Sequence, residues 1–96
     1  MKEVKVYLKR DTIARAVQWD GNNFDAIKEF CQGAKWINIE KVDDNILRFC
    51  CYDRTDYVDI GDYIVNINDS FINYSKDVFE QIYVEIPIKL DKIGKK

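Results

Sequence analysis

Apolar and polar residues alternate at the start of the chain in a way that predicts two strands. In residues 2–9, Val4, Val6 and Leu8 occupy every second position, with charged residues or tyrosine between them. This period of two is typical of a half-buried strand. Residues 13–19 repeat the alternation after a polar break, which predicts a second strand.

A helix is predicted directly after the turn signal Asp20-Gly21. Asn22 or Asn23 is placed to cap the helix. Apolar residues then recur at helical spacing, at Phe24, Ile27, Phe30 and Cys31. Gly33 stands where a left-handed C-cap belongs. The pattern therefore predicts a helix of about three turns.

Short apolar runs separated by turn signals predict five further strands. They cover residues 35–40, 46–52, 57–60, 62–67 and 70–74. The turn signals between them are Asp43-Asp44-Asn45, Asp53-Arg54, Gly61 and Asn68-Asp69.

The last part of the chain predicts a short helix and a closing strand. Ser75 is a favourable N-cap residue, and Val78, Phe79 and Ile82 are predicted to face inward. Residues 83–88 form the closing strand, which we place at a sheet edge because its proline cannot donate a ladder hydrogen bond.

The predicted element order is β-β-α-β-β-β-β-β-α-β, without the spacing of βαβ units, and it indicates an α+β fold. We expect a bent, mainly antiparallel β-sheet with one three-turn helix and one short helix. A single domain spans residues 1–88, and residues 89–96 form a basic C-terminal tail. The predicted core residues are Val4, Val6, Trp19, Phe24, Ile27, Phe30, Phe49, Tyr63, Val65 and Phe79.

The composition excludes most catalytic chemistry. The chain has no histidine and three cysteines, which excludes histidine-based nucleophile systems and a four-cysteine zinc site. Cys50 and Cys51 are adjacent, a geometry poorly suited to a disulfide, so we expect free thiols in a reducing compartment. Arg48 would favour a thiolate nearby, but alternation directs one of these cysteines inward and the other to the reverse face. The sequence predicts a protein that is not an enzyme, with no metal and no cofactor.

Charge is distributed unevenly along the chain, although the formal net charge is only −2. Residues 1–19 carry five cations and two acids, whereas residues 40–80 carry ten acids and four cations. The acidic middle repels a nucleic-acid backbone, so general nucleic-acid binding is disfavoured. The sequence has no apolar run of about 18 residues, and its first residues alternate instead of forming the apolar segment of a signal peptide, so we expect no export signal. We therefore expect a cytoplasmic protein that does not enter a membrane.

Four carboxylates recur at every third position of the acidic middle, at Asp53, Asp56, Asp59 and Asp62. On a helix they would share one side and suit a cation, but a strand–turn–strand distributes them over both faces. They also lack the spacing of a calcium loop. Two interpretations remain: solvated carboxylates that keep sheet edges soluble, and a face for a basic partner protein. The candidate partner-binding residues are Asp53, Asp56, Tyr57, Asp59 and Asp62.

Tyrosine is frequent in this small chain, at Tyr52, Tyr57, Tyr63, Tyr74 and Tyr83 among other positions. Tyrosine is enriched at protein interfaces, and it is also a favourable strand residue. The sequence leaves both roles open.

Three motifs, taken in order, resemble a family of small phage and prophage proteins. Residues 14–22, ARAVQWDGN, resemble the family's opening EA-x-Q-[FW]-x-G-x-N, and residues 61–65, GDYIV, resemble its GDYI[IV] motif. Residues 77–83, DVFEQIY, resemble its closing D-x-F-x-x-x-Y. Arg15 stands where the family commonly has an acid. The resemblance implies a phage setting in a bacterial host, and it implies no reaction.

We therefore expect a phage-encoded accessory protein that acts by binding a host bacterial protein. An inhibitor of a bacterial defence system, of the anti-CRISPR kind, fits the small size, the absence of histidine and the acidic, tyrosine-rich middle. The alternative is a domain that binds or sequesters a small ligand such as a nucleotide signal. Basic residues near the N-terminus would then pair with phosphate, and aromatic faces would stack on the base.

Overall fold

The computed structural model describes residues 4–9, 12–32, 34, 36–51 and 53–86, and within them the elements follow the predicted order. The strands are β1 (Lys5–Lys9), β2 (Thr12–Gln18), β3 (Ile37–Lys41), β4 (Ile46–Cys51), β5 (Arg54–Asp59), β6 (Tyr63–Ile67), β7 (Ser70–Tyr74) and β8 (Val84–Glu85). The helices are α1 (Phe24–Phe30) and α2 (Lys76–Ile82). Some predicted features lie outside the described residues: the Gly33 C-cap, Tyr52, the proline of the closing strand and the tail of residues 89–96.

The described strands pair antiparallel, which confirms the predicted α+β class, but they form two sheets and not one bent sheet. Sheet A has the order β7-β6-β2-β1-β8, and sheet B is the meander β3-β4-β5. The sheets separate because β6 pairs with β2 and β7 and not with β5. Alternation shows which face of a strand is buried, but not which strand lies beside it.

The central strand β2 contributes to two separate cores, one on each face of sheet A. Val17, and Trp19 just past the strand end, pack with α1 and sheet B. Ala14 and Ala16 point to the other face and pack with α2. The predicted alternation of this strand is confirmed. Sheet A is therefore the middle layer, with α2 on one face and α1 and sheet B on the other.

Helix α1 is shorter than predicted. It has seven residues, which make about two turns instead of three. Beyond Phe30 the chain tightens, since the Gln32 N–H bonds to the Glu29 carbonyl only three residues back. Asn23 occupies the N-cap position as predicted. Its side chain, however, accepts a hydrogen bond from the Asp20 N–H at 3.0 Å and so holds the preceding turn.

Helix α2 begins as predicted but buries a narrower face. The Val78 N–H donates a hydrogen bond to the Ser75 hydroxyl at the N-cap. Phe79 is buried and Ile82 is half-buried. The side chain of Val78 is exposed, so the prediction that it faces inward is wrong. Val78 lies one position away from the stripe that joins Phe79 to Ile82 and Tyr83.

Most of the predicted core is buried, namely Val6, Trp19, Ile27, Phe49, Tyr63, Val65 and Phe79. The exceptions are Val4, Phe24 and Phe30, which are half-buried and pack against the core from its edge. The turn predicted at Asn68-Asp69 is also confirmed. Both residues have positive φ, 51° and 66°, which is the conformation of the two-residue hairpin turn favoured by strand twist.

Candidate protein-binding surface

The predicted acidic segment follows β5, an edge strand of sheet B, and the turns on either side of it. Successive residues of β5 face opposite sides of the sheet, as predicted. Asp56 lies opposite Phe49, on the face that Val58 buries in the core. Tyr57 and Asp59 lie on the outer face, which is exposed to solvent. The structure therefore brings Tyr57 and Asp59 together and separates them from Asp56.

Two of the predicted site residues, Asp62 and Asp56, are engaged in contacts within the chain. Asp62 Oδ2 accepts a hydrogen bond from the Asp59 N–H at 3.0 Å, and Asp62 Oδ1 accepts one from the Lys76 N–H at 3.1 Å. This carboxylate thus ties the turn after β5 to the start of α2. Asp56 Oδ2 lies 3.1 Å from Nε of Arg54 on the same strand.

Tyr57 differs from the other tyrosines that the structure describes. The rings of Tyr7, Tyr63, Tyr74 and Tyr83 pack against Phe79 between sheet A and α2, with centroid distances of 4.0–6.1 Å within the cluster. Burial raises the pKa of Tyr7, Tyr63 and Tyr83, and the hydrogen bond from Tyr63 to Glu80 raises that of Tyr63 further. Tyr57 is 57% exposed. The core role holds for the packed tyrosines, and Tyr57 remains the candidate for an interface.

Beside Tyr57, the outer face of sheet B carries an ion pair. Arg48 lies directly opposite Tyr57 on β4, and Glu40 lies opposite Arg48 on β3. Arg48 and Glu40 form a salt bridge, which lowers the pKa of Glu40 and raises that of Arg48. The nearest cation on this face is therefore already paired.

Three turns meet at the end of the molecule next to Asp59. The Gly61 N–H donates to the Trp19 carbonyl at 2.7 Å, and the Trp19 indole Nε1 donates to the Asn45 carbonyl at 2.8 Å. Gly21 has a φ of +89°, and a Cβ at this position would lie 3.0 Å from Ile60 Cδ1 and 3.9 Å from the Asp44 carbonyl oxygen. The turns at residues 20–23, 42–45 and 59–62 are thus held together.

This end presents apolar side chains and carboxylates to solvent together. Val42 and Ile60 are each about half exposed, and the Asp44 side chain is almost fully exposed. With Tyr57 and Asp59 they form what we call the acidic surface: Val42, Asp44, Tyr57, Asp59 and Ile60. Val42, Asp44 and Ile60 were not among the site residues predicted from the sequence. The signal for Val42 and Ile60 was an apolar residue directly beside the Asp43 and Gly61 turn signals, since such turns lie at the surface.

Cations neutralise this surface only weakly. Lys41 Nζ lies 3.8 Å from Asp44 Oδ1, but both side chains are exposed, and such pairs contribute about 0–1 kcal/mol. Among the described residues, the Asp59 carboxylate forms no ion pair. The Asp43 carboxylate is used locally, where it accepts hydrogen bonds from the Asn45 and Ile46 N–H groups. Asp44 and Asp59 therefore add exposed negative charge that described cations pair weakly or not at all.

The cysteines are free thiols in different surroundings. Cys31 is buried, and burial raises the pKa of its thiol to about 12. Cys51 packs against the core, whereas Cys50 lies on the outer face and accepts a 3.8 Å hydrogen bond from the Thr55 hydroxyl. This inward and outward placement confirms the alternation predicted for the pair. Within the described part of the chain, no three or more His, Cys, Asp or Glu side chains come together as metal ligands.

Comparison with protein-family models, curated proteins and solved structures finds no match to this chain. In the described residues, no helix is long and apolar enough to span a membrane.

Proposed function

We propose that this chain is a non-catalytic binding domain that docks a partner protein through the acidic surface. The observation that carries the proposal is the exposure of Tyr57 beside Asp59 on the outer face of sheet B. The other described tyrosines are packed around Phe79. Exposed aromatic and aliphatic side chains next to exposed carboxylates suit recognition of a partner that presents lysine or arginine.

The two kinds of residue in the acidic surface have separate roles in this proposal. Val42, Tyr57 and Ile60 supply apolar area that leaves water when the partner binds, and a tyrosine at the centre of an interface is a frequent hot spot. Asp44 and Asp59 select a basic partner and accelerate its association. This acceleration fades with salt, because the Debye length falls from about 10 Å at 0.1 M to about 3 Å at 1 M.

The resemblance to small phage and prophage proteins gives the proposal its setting. The partner is then a protein of the bacterial host, and inhibition of a defence complex is the form of action that we expect. A small domain acts in this way by covering a basic surface that the complex needs for its own substrate.

The test compares capture of bacterial proteins by three immobilised versions of the chain. The first is the wild type, and the second carries Asp44→Lys and Asp59→Lys. The third is a matched control with Asp25→Lys and Glu29→Lys, since both residues are exposed acids on α1, outside the acidic surface. Both double variants change the net charge equally.

We expect one protein to be retained by the wild type and the control but lost from the Asp44/Asp59 variant. Its association rate with the wild type should fall steeply between 0.1 and about 1 M salt. The rate for the Asp44/Asp59 variant should be low and insensitive to salt. If all three versions retain the same proteins with the same kinetics, the acidic surface serves solubility and the proposal is wrong.

A further inference from the structure

A strip of sheet A is exposed on the face that packs against α1 and sheet B. Ile13 on β2 lies opposite Leu8 on β1, and Leu8 lies opposite Val84 on β8. Residues directly opposite each other share a face, so these three form one apolar row across adjacent strands. Their exposed fractions are 60%, 37% and 69%. A row of aliphatic side chains this exposed is unusual on a sheet face that elsewhere forms the core.

Two polar residues, Arg15 and Asn66, which we call the polar row, lie beside the apolar row, between it and the covered part of the sheet. Arg15 lies two residues after Ile13 on the same strand, opposite Asn66, and Asn66 lies opposite Phe71. The Arg15 guanidinium carbon lies 5.7 Å from the centroid of the Phe30 ring, at the end of α1. This cation–aromatic contact restrains the Arg15 side chain within the strip.

Asp69 supplies a negative charge in the same place. It lies in the β6–β7 turn, and it lines two adjoining open grooves together with Arg15 and Asn66. Its N–H donates to Asn66 Oδ1 at 2.9 Å, which fixes the turn against the polar row. Among the described residues, neither the Arg15 nor the Asp69 side chain forms an ion pair. The strip therefore carries one cation and one anion beside an apolar row.

We propose that the strip, defined as Leu8, Ile13, Arg15, Asp69 and Val84, binds a second copy of this chain about a twofold axis. In a twofold interface the same patch meets itself, so residue i of one copy contacts residue j of the other and the reverse. Arg15 of each copy then pairs with Asp69 of the other, and the apolar rows pack together. A strip with one cation, one anion and an aliphatic row is complementary to itself.

The size of the strip sets the expected strength of the dimer. Its residues lie on β8, β1 and β2 and in the β6–β7 turn, which at about 4.8 Å per strand gives a length of about 15–20 Å. This places the interface at the low end of specific interfaces, below about 1,200 Å² in total. Interfaces of this size are often weak and transient, so we expect a dissociation constant on the order of 10–100 µM. The proposed dimer does not involve the acidic surface, so the dimer proposal can be correct or wrong independently of the proposed function.

The first test measures mass by sedimentation equilibrium from about 1 to 500 µM, a range that brackets that dissociation constant. The wild type should shift from monomer to dimer. Ile13→Asp should raise the dissociation constant by about tenfold or more, since a charge enters the apolar row twice per dimer. Val78→Asp is the matched control, because Val78 is also an exposed aliphatic residue but lies on α2, at the opposite face of sheet A. A wild type that stays monomeric, or an Ile13→Asp variant that dimerises normally, would overturn the proposal.

The second test uses the Arg15–Asp69 pair across the axis. Arg15→Asp and Asp69→Arg should each weaken self-association, because each places like charges opposite one another twice. Mixing the two variants should restore dimers, and native mass spectrometry should detect them as mixed pairs of one copy of each. Thermal unfolding of each variant checks that the turn at Asp69 still forms. A mixture of folded variants with no preference for mixed pairs would show that the proposed pairing is wrong.

Discussion

The indole Nε1 of Trp19 donates a 2.8 Å hydrogen bond to the backbone carbonyl of Asn45. Trp19 is fully buried at the end of β2 in sheet A, whereas Asn45 is exposed in the β3–β4 turn of sheet B. One core side chain therefore fixes the turn that carries Val42 and Asp44. The shape of the acidic surface depends on packing inside the protein as well as on its own residues.

Trp19→Phe should lower the free energy of unfolding by about 2–4 kcal/mol, since the smaller ring leaves a cavity and the Asn45 carbonyl loses its donor. Urea denaturation measures this change. Trp36→Phe is the control, because Trp36 is 64% exposed and a surface substitution should change stability by less than about 0.5 kcal/mol. Equal effects at both tryptophans would contradict the buried hydrogen bond.

Phe79→Ala should destabilise the fold more than Phe30→Ala. Phe79 is 1% exposed and stacks between Tyr63 and Tyr83, with centroid distances of 4.0 and 4.8 Å. Its loss should cost about 3–5 kcal/mol. Phe30 is half-buried at the edge of the core, so its loss should cost about 1–3 kcal/mol. Denaturation of both variants in parallel gives the comparison. A larger loss of stability in Phe30→Ala than in Phe79→Ala would contradict the central position of Phe79 in the core.

Stability should fall as the pH rises above about 10, where unfolded tyrosine ionises. Burial raises the pKa of Tyr7, Tyr63 and Tyr83 in the folded protein. The unfolded chain therefore releases protons that the folded chain keeps, and stability declines by up to about 1.4 kcal/mol per pH unit for each such tyrosine. The pairing of Lys76 with Glu80 raises the pKa of Lys76 and acts in the same direction. Urea unfolding at pH 8–11 measures the slope of the free energy of unfolding against pH, and this slope should be smaller in Tyr63→Phe. A free energy of unfolding that does not change with pH in this range would contradict the prediction.

Asp62→Ala should destabilise the fold although the residue belongs to the predicted partner-binding segment. The carboxylate accepts from the Asp59 and Lys76 N–H groups, and loss of both bonds should cost about 1–3 kcal/mol. Asp53→Ala is the control, because Asp53 is exposed in the turn before β5 and should change stability by less than about 0.5 kcal/mol. Chemical denaturation distinguishes the two. An Asp62→Ala variant with unchanged stability would show that the Asp62 hydrogen bonds do not stabilise the fold.

Local chemistry made much of the chain predictable. Alternation at residues 13–19, the Asn68-Asp69 turn and the Ser75 cap each depend on neighbours in sequence, and each occurs as predicted. The length of α1 and the exposure of Val78 were not predicted correctly. For Val78 the reason is that an offset of one residue decides which side of a short helix packs against the core. The split into two sheets depends on which strand lies beside β6, and no local pattern encodes that choice.

The candidate site was only partly predictable for the same reason. Tyr57 and Tyr63 are both strand tyrosines in the sequence, yet one is exposed and the other buried. Asp59 and Asp62 look equivalent in the spacing of carboxylates, but Asp62 is committed to backbone hydrogen bonds. Asp44 joins the site only because its turn meets Gly21 and Ile60 in space.

The contacts between Trp19 and the β5–β6 turn also bear on the order of folding. The Trp19 N–H donates to the Asp62 carbonyl, and the Gly61 N–H donates to the Trp19 carbonyl. The two ends of the segment from residue 19 to residue 62 are thus hydrogen-bonded to each other, which closes a loop. This loop contains α1 and all of sheet B. The β3–β4–β5 meander joins strands that are adjacent in sequence and can form early, whereas pairing of β2 with β6 must wait until the loop closes. Closure is then the slow step, so substitutions that weaken the Trp19 contacts should lower the folding rate and not only raise the unfolding rate.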